Sequence, residues 1–405
     1  MGLYAGTALQ HEFPTLDRDG LVYLDSSATS QTPRSVIDAM TSYYETTRAS
    51  VHRGVYPLAV EATERFEAGR EKAAAWLRWD PECTIFTRNA TEAINLVAAT
   101  WGQANIAPGD RIVLTEMEHH SNLVPWQLLA QQKGAALEWI PIDDEGILDL
   151  AVLDGFLQGG DVKLVAVGHV SNVMGTINPV ADIVARAHDK GAVVVIDGAQ
   201  AVPQIPVDLS DIGADFYAWT AHKAYGPTGI GVLHGRRELL EAMPPWLTGG
   251  HMVGRVTKER TTWAELPHKF EAGTSAIAEG VGLGAAVDFI RAVGIDDIRE
   301  HERELVAYAL ERLAEVPGIT LHGPRDADRR GAVISFALAH AHPHDVAEIL
   351  GREGVCIRAG HHCAQVLMAR LGVGATSRAS FAIHNTREDV NALVDGLASV
   401  EKVFG

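Results

Sequence analysis

An α/β fold with a mainly parallel, mixed sheet, followed by a smaller α+β domain, is predicted by three observations. Short β-rich runs alternate with longer stretches of helical period between Thr84 and Thr220. Several polar motifs fall just after those runs. Beyond about residue 285 the alternation gives way to one long helical stretch and a few short strands. At 405 residues, 47% hydrophobic and 21% charged, the chain has the size for two or three domains and the composition of a folded globular protein.

Strands are predicted over 84–87, 111–115, 137–140, 163–167, 193–196 and 216–220, each a short run rich in β-branched, aromatic or aliphatic residues. Between them, apolar residues recurring every three or four positions predict helices over 91–101, 123–133 and 180–190. The segment 247–274, rich in Gly, Thr and charge, reads as an irregular excursion from the large domain. A helical stretch running through Val316, strands over 333–336 and 355–358, and a closing helix from Arg387 complete the chain. The expected division is a large domain over 16–285 and a small one made of 1–15 and 286–405. In such sheets ligands collect at the carboxyl ends of the strands, so residues just after each strand carry most of the functional weight.

The charge balance narrows the partners. Against 34 basic side chains stand 52 acidic ones, a formal charge of −18, which is the wrong sign for a protein that grips a phosphate backbone, so no nucleic acid is expected. The apolar run from Gly191 to Ile196 is typical of the longest present and falls far short of the roughly 20 residues of a membrane span. Met1 to Pro14 lacks the basic and apolar regions of a signal peptide, which makes the cytoplasm the expected location. Three cysteines, Cys83, Cys356 and Cys363, are too few for a disulfide framework and suit a reducing compartment.

Asp197 ends a run of β-branched residues and is followed by Gly198, Ala199 and Gln200; Lys223 follows another strand and adjoins His222 and a glycine-rich turn. Alone, Asp197 reads as a helix N-cap and Lys223 as a solvated lysine. Together they are the pair that pyridoxal phosphate requires: a lysine for the Schiff base and a carboxylate for the pyridine nitrogen. Asn89 to Glu92 follows a strand at capping-box spacing, and a helix N-terminus there offers free N–H groups to a phosphate. Glu116 to Asn122 adds the adjacent imidazoles His119 and His120, suited to stacking or proton transfer. Arg358 to Cys363 places a thiol beside two imidazoles and an arginine, conditions that favour a thiolate nucleophile. Zinc ligation by His361, His362 and Cys363 competes with that reading, but adjacent residues rarely converge on one ion, so no metal is expected. Arg378 offers a planar fork for a carboxylate.

Tyr23-Leu-Asp-Ser-Ser-Ala-Thr, Val51-His-Arg-Gly, Ala90-Thr-Glu-Ala-Ile-Asn, Glu118-His-His-Ser-Asn, Asp197-Gly-Ala-Gln, His222-Lys-Ala-Tyr-Gly-Pro and Arg358-Ala-Gly-His-His-Cys occur in this order. The chain thereby resembles, nearly end to end, the SufS-type (group II, NifS-like) cysteine desulfurases of the class V aminotransferase family. That resemblance implies a fold-type I transferase holding pyridoxal phosphate. It also implies conversion of L-cysteine to L-alanine, with sulfur passed as a persulfide on Cys363 to a SufE- or SufU-like acceptor protein. Residue by residue, it makes Lys223 the Schiff-base lysine, Asp197 the partner of the ring nitrogen and Gln200 a donor to the ring oxygen. His120 becomes the stacking imidazole, in preference to His119. Thr91, Thr220 and His222 would hold the phosphate, joined by Thr274 from the opposite subunit of a homodimer. Asn172 would lie beside the cofactor, Arg378 and Arg358 on the substrate, and His52 and Arg53 near the site mouth. The chain departs from the family pattern in lacking a proline after Ala364, in Ser377 before Arg378, and in the segment Ala276 to Glu279. A selenocysteine lyase on the same fold and a non-catalytic sulfur-transfer scaffold are the alternatives, the latter opposed by the intact Lys223, Asp197 and Cys363.

Overall fold

The computed structural model describes residues 9–404. All six strands predicted before residue 220 are present, extended by at most a residue at either end. With Gly231–Gly235, which is not among the predicted strands, they form one seven-stranded sheet. Its order is Thr84–Thr87, Gly231–Gly235, Phe216–Thr220, Val193–Asp197, Val162–Gly168, Arg111–Thr115 and Ala136–Ile140. Gly231–Gly235 runs antiparallel to both neighbours and every other pairing is parallel, which makes the sheet mixed but mainly parallel. The central strands are buried on both faces, so they read as continuous apolar runs rather than alternating ones. Glycine at 231 is required by close approach: a Cβ there would lie 2.5 Å from the backbone of Asn89, where the helix Ala90–Val97 begins.

That helix stops being α-helical at Val97 and continues as a π turn over Ala98–Gly102, rather than running evenly to residue 101. The 20-residue helix Pro57–Trp76, not among the predicted helices, packs along Ile277–Val293. The two cross at glycines, since a Cβ on Gly69 would lie 2.2 Å from the Gly280 carbonyl oxygen.

The single long helix expected after residue 285 is two helices, Ile277–Val293 and Ile295–Ala314, broken at Gly294, whose φ of +95° leaves the helical region. The division expected at residue 285 therefore falls inside a helix, and buried contacts pass from the larger core to the smaller one between Ile298 and Leu305. Of the expected segment 1–15, residues 1–8 lie outside the described residues, and Leu9 and Phe13 pack in the larger core.

The smaller unit is an antiparallel sheet ordered Ile319–His322, Val333–Leu338, Thr376–Ser380, Arg358–Gly360, flanked by helices that include Pro343–Arg352 and Arg387–Phe404. The strand expected over 355–358 splits: Val355–Cys356 pairs in parallel with Val22–Tyr23, and Arg358–Gly360 pairs with Thr376–Ser380. Within 247–274 a short hairpin, Val253–Val256 with Thr261–Trp263, interrupts the expected irregular path. The fully buried Arg330 joins the two units, donating to the carbonyl oxygens of Met174, Pro324 and Val333.

Candidate active site

A cavity of about 230 Å³ opens where the carboxyl ends of the large sheet meet the small sheet. Thr91, Asn172, Asp197, Gln200, Thr220, His222, Lys223, Arg358, Cys363 and Arg378 line it, gathering ten of the expected site residues around one space. His120, His52, Arg53 and Thr274 are not among its walls.

Asp197 ends its strand with Oδ1 accepting the Ala199 N–H at 3.0 Å, and its second oxygen receives no hydrogen bond from the described residues. Burial pushes this carboxyl above its usual range, opposed by the Ala199 N–H and by Lys223. A positive charge at the free oxygen would relieve that cost. Lys223 ends a short 3-10 turn after Thr220, and burial lowers its amine to about 8, against the pull of Asp197 and with the help of Arg378 and Arg358. A useful fraction of the amine is therefore neutral and nucleophilic near neutral pH.

At the far end, Asn89 caps the helix Ala90–Val97 by accepting the Glu92 N–H at 2.9 Å. Thr91 Oγ1 lies 2.6 Å from Ser121 Oγ, the buried Thr220 hydroxyl has no partner, and His222 Nδ1 faces Thr29 Oγ1 at 3.2 Å. Hydroxyls and N–H groups beside a helix N-terminus suit a dianionic phosphate. An unpartnered buried hydroxyl at this end and a half-satisfied buried carboxylate at the other match the polar ends of pyridoxal phosphate.

Of the two adjacent imidazoles, His119 is the one in the wall, which corrects the expected place of His120. His119 caps the turn His120–Asn122, its Nδ1 accepting the Ser121 N–H at 3.1 Å, which leaves the neutral ring's proton on Nε2. Burial and nearby cations, Lys223 foremost, lower its pKa to about 3, so the ring stays neutral. His120 is turned the other way, toward the loop of Cys363: its N–H donates to the Cys363 carbonyl at 2.7 Å and its Nε2 accepts the Gln365 N–H at 3.2 Å. Beneath His119 lies Glu118, buried and raised to about 7, held by Thr115, Asn122 and the Gly168 N–H.

Cys363 is half-buried in a tight loop where Gly360, His362 and Cys363 all have positive φ, at 131°, 51° and 55°. For non-glycine residues such backbone persists only where the surroundings hold it. Here the holders are His120, Asn172, whose Nδ2 donates to the His362 carbonyl at 2.8 Å, and Thr376, which contacts His362 Nε2 at 2.9 Å. Asn172 thus spends a donor on the thiol loop, and Gln200 spends one on the Ser27 carbonyl at 2.9 Å. Arg378 is buried, bonded to the Asn172 carbonyl at 3.1 Å and to Asp25 at 3.0 Å, and its Nε has no partner. Ser121, Glu118 and Ser27 belong to motifs visible in the sequence; only their hydrogen bonds reveal their places.

Outside this cavity, Arg53 and Thr274 line a second opening with His251, and His52 lies 2.7 Å from Glu67.

The class of protein is settled by comparison: the chain belongs to the class V aminotransferase family, whose profile matches residues 22–393. It is 50% identical to the probable cysteine desulfurase of Streptomyces coelicolor, covering 100% of this chain and 99% of that one. It is 46% identical to the cysteine desulfurase of Haloferax volcanii over 96% and 91% of the two. Among solved structures it is similar to the Escherichia coli cysteine desulfurase CsdA in its S-sulfonic acid form, with a TM-score of 0.93, 38% identity and full coverage of both chains. The apo cysteine desulfurase of Thermococcus onnurineus gives 0.94 and 39% over 98% of each.

Proposed function

We propose that this chain is a pyridoxal phosphate-dependent cysteine desulfurase that converts L-cysteine to L-alanine and keeps the sulfur as a persulfide on Cys363. The observation that carries this reading is one cavity walled by a lysine with a depressed pKa, a buried half-satisfied carboxylate, a buried arginine with a free Nε and a thiol on a braced loop. Bound there, pyridoxal phosphate supplies a sink for the electrons left when the substrate's α-proton is removed.

The residues divide the remaining work. Asp197 would hold the ring nitrogen's positive charge, His119 would pack on the ring as a neutral imidazole, and Thr91, Ser121, Thr220 and His222 would receive the phosphate. Arg378 anchors the substrate carboxylate, with Arg358 at the outer wall. Lys223 would hold the cofactor, and its amine, when free, would take the α-proton on Nζ and return it to the α-carbon before alanine leaves. Cys363 Sγ attacks the substrate sulfur: the S–S bond forms as the Cβ–S bond breaks, its electron pair passes to Cβ, and protonation there yields the alanine methyl group. Sulfur at the thiol is oxidised as carbon is reduced, so no external oxidant is needed.

A homodimer is supported by the position of His52, Arg53 and Thr274 outside the chain's own cavity, beside the exposed Val55, Tyr56 and Leu247. The short, held loop of Cys363 supports delivery of sulfur to a docking SufE- or SufU-like acceptor rather than by a swinging arm. Among the described residues no helix is long and apolar enough to cross a membrane; we infer a cytoplasmic location. The test is to measure alanine and sulfide together from L-cysteine and a reductant. Equal yields from a yellow protein support the reading, and a colourless protein that cannot be reconstituted with pyridoxal phosphate overturns it.

A further inference from the structure

Away from the cavity, His52 meets two histidines of a distant segment, His251 and His268. The rings of His52 and His268 lie 4.8 Å apart, those of His52 and His251 4.9 Å, and those of His251 and His268 5.2 Å, centroid to centroid. Each has a buried ring nitrogen with no hydrogen-bond partner: Nδ1 of His52, Nε2 of His251 and Nδ1 of His268. Three such nitrogens in one cluster are costly unless something accepts their lone pairs or protons. Glu67 adjoins them, with Oε1 2.7 Å from His52 Nε2, and one donor atom each from His52, Glu67 and His268 falls within 4.8 Å of the others.

We propose that His52, His251, His268 and Glu67 form a site for a zinc-class divalent cation. The donor set, imidazole-rich with one carboxylate, has the number and type of a tetrahedral zinc site and is a poor match for magnesium or calcium. Donors around zinc sit about 3.3 Å apart, so those of His52, Glu67 and His268 would draw together by up to about 1.5 Å, and His251, placed by its ring contacts with His52 and His268, would turn its free Nε2 toward them as the fourth ligand. The outer shell is already in place: Glu67 Oε2 accepts from Arg70 Nε at 2.8 Å, and the buried Arg70 is fixed in turn by Glu271 at 2.6 Å. Bracing of a ligating carboxylate in this way is usual at metal centres. His52 and His251 also hold left-handed backbone, at φ 65° and 75°, which turns both rings out of ordinary loop geometry. Glu64 and Glu71 line an opening beside His52 and Glu67, an acidic approach for a cation. The ion would tie the loop of Arg53 to the helix Pro57–Trp76 and to the segment that leads to Thr274.

The test uses full-length, cofactor-loaded protein, stripped with a chelator and titrated with zinc. One zinc per chain is expected, with an X-ray absorption shell of nitrogen and oxygen showing imidazole scattering. Affinity should fall about 10- to 100-fold or more in His268→Gln and His251→Gln and stay unchanged in Cys363→Ser. Unchanged cofactor absorbance and circular dichroism establish that a variant is folded; if neither histidine variant folds, the wild-type absorption shell and Glu67→Gln decide. Sulfur in the shell, wild-type affinity in the folded histidine variants, or zinc bound below stoichiometry would overturn the proposal.

Discussion

Lys223 and Cys363 face the same cavity from opposite kinds of support. Lys223 stands with Asp197 at the ends of central strands whose neighbours hold them on both sides, so its position is set by the sheet. Cys363 belongs to a loop of the smaller unit whose left-handed backbone is held by groups lent from the larger one, chiefly His120 and Asn172. The difference teaches a division of labour. The groups that must bind a cofactor without relaxing are built into the sheet, whereas the thiol that must first meet substrate and then a sulfur acceptor sits on a surface loop held by separable contacts.

The hardest test of that contrast removes each nucleophile. Lys223→Ala should lower alanine formation by about 10⁴-fold or more and abolish the coupled yellow chromophore. Cys363→Ser should lower it by about 10³-fold while leaving cofactor content and visible spectrum intact, because nothing in the sheet depends on the thiol. Loss of cofactor in Cys363→Ser would break the comparison. The two histidines sharpen it at a smaller scale. His120→Ala removes one brace of the loop and should cost turnover about tenfold with cofactor retained, as expected for a lost hydrogen bond of about 1 to 1.5 kcal/mol. His119→Ala should instead weaken cofactor retention, read by dialysis and absorbance. The mildest effect is on pH. Because the Lys223 amine is lowered to about 8, it is mostly protonated below that pH and neutral above it. Loading of cofactor-free protein should therefore slow about tenfold per pH unit below about 8 and level off above, whereas an ordinary lysine would keep accelerating toward about pH 10.4.

Much of this site was legible because strand ends concentrate ligand chemistry, so Asp197, Thr220 and Lys223 declared themselves by following apolar runs. The choice between His119 and His120 was not legible. Two adjacent residues with the same side chain differ only in the direction the turn gives them, and that direction follows from His119 capping the turn while His120 enters it. Arg330 and the helix Pro57–Trp76 were missed for a related reason: a buried arginine satisfied by carbonyls looks like a surface one, and a helix of mixed polarity is identified only by the glycine crossing it makes.

What residue order alone decides here is local: which segments favour strand or helix, and which chemistry-bearing side chains follow them, because backbone preference and hydrophobic period act over a few residues. The folded chain alone decides which of those side chains share a space. Cys363 meets Lys223, and His52 meets His251 and His268, across some 140 to 220 residues of sequence. No pattern in the intervening chain encodes those distances; they arise from how the two sheets pack and where the connecting helices let the backbone return.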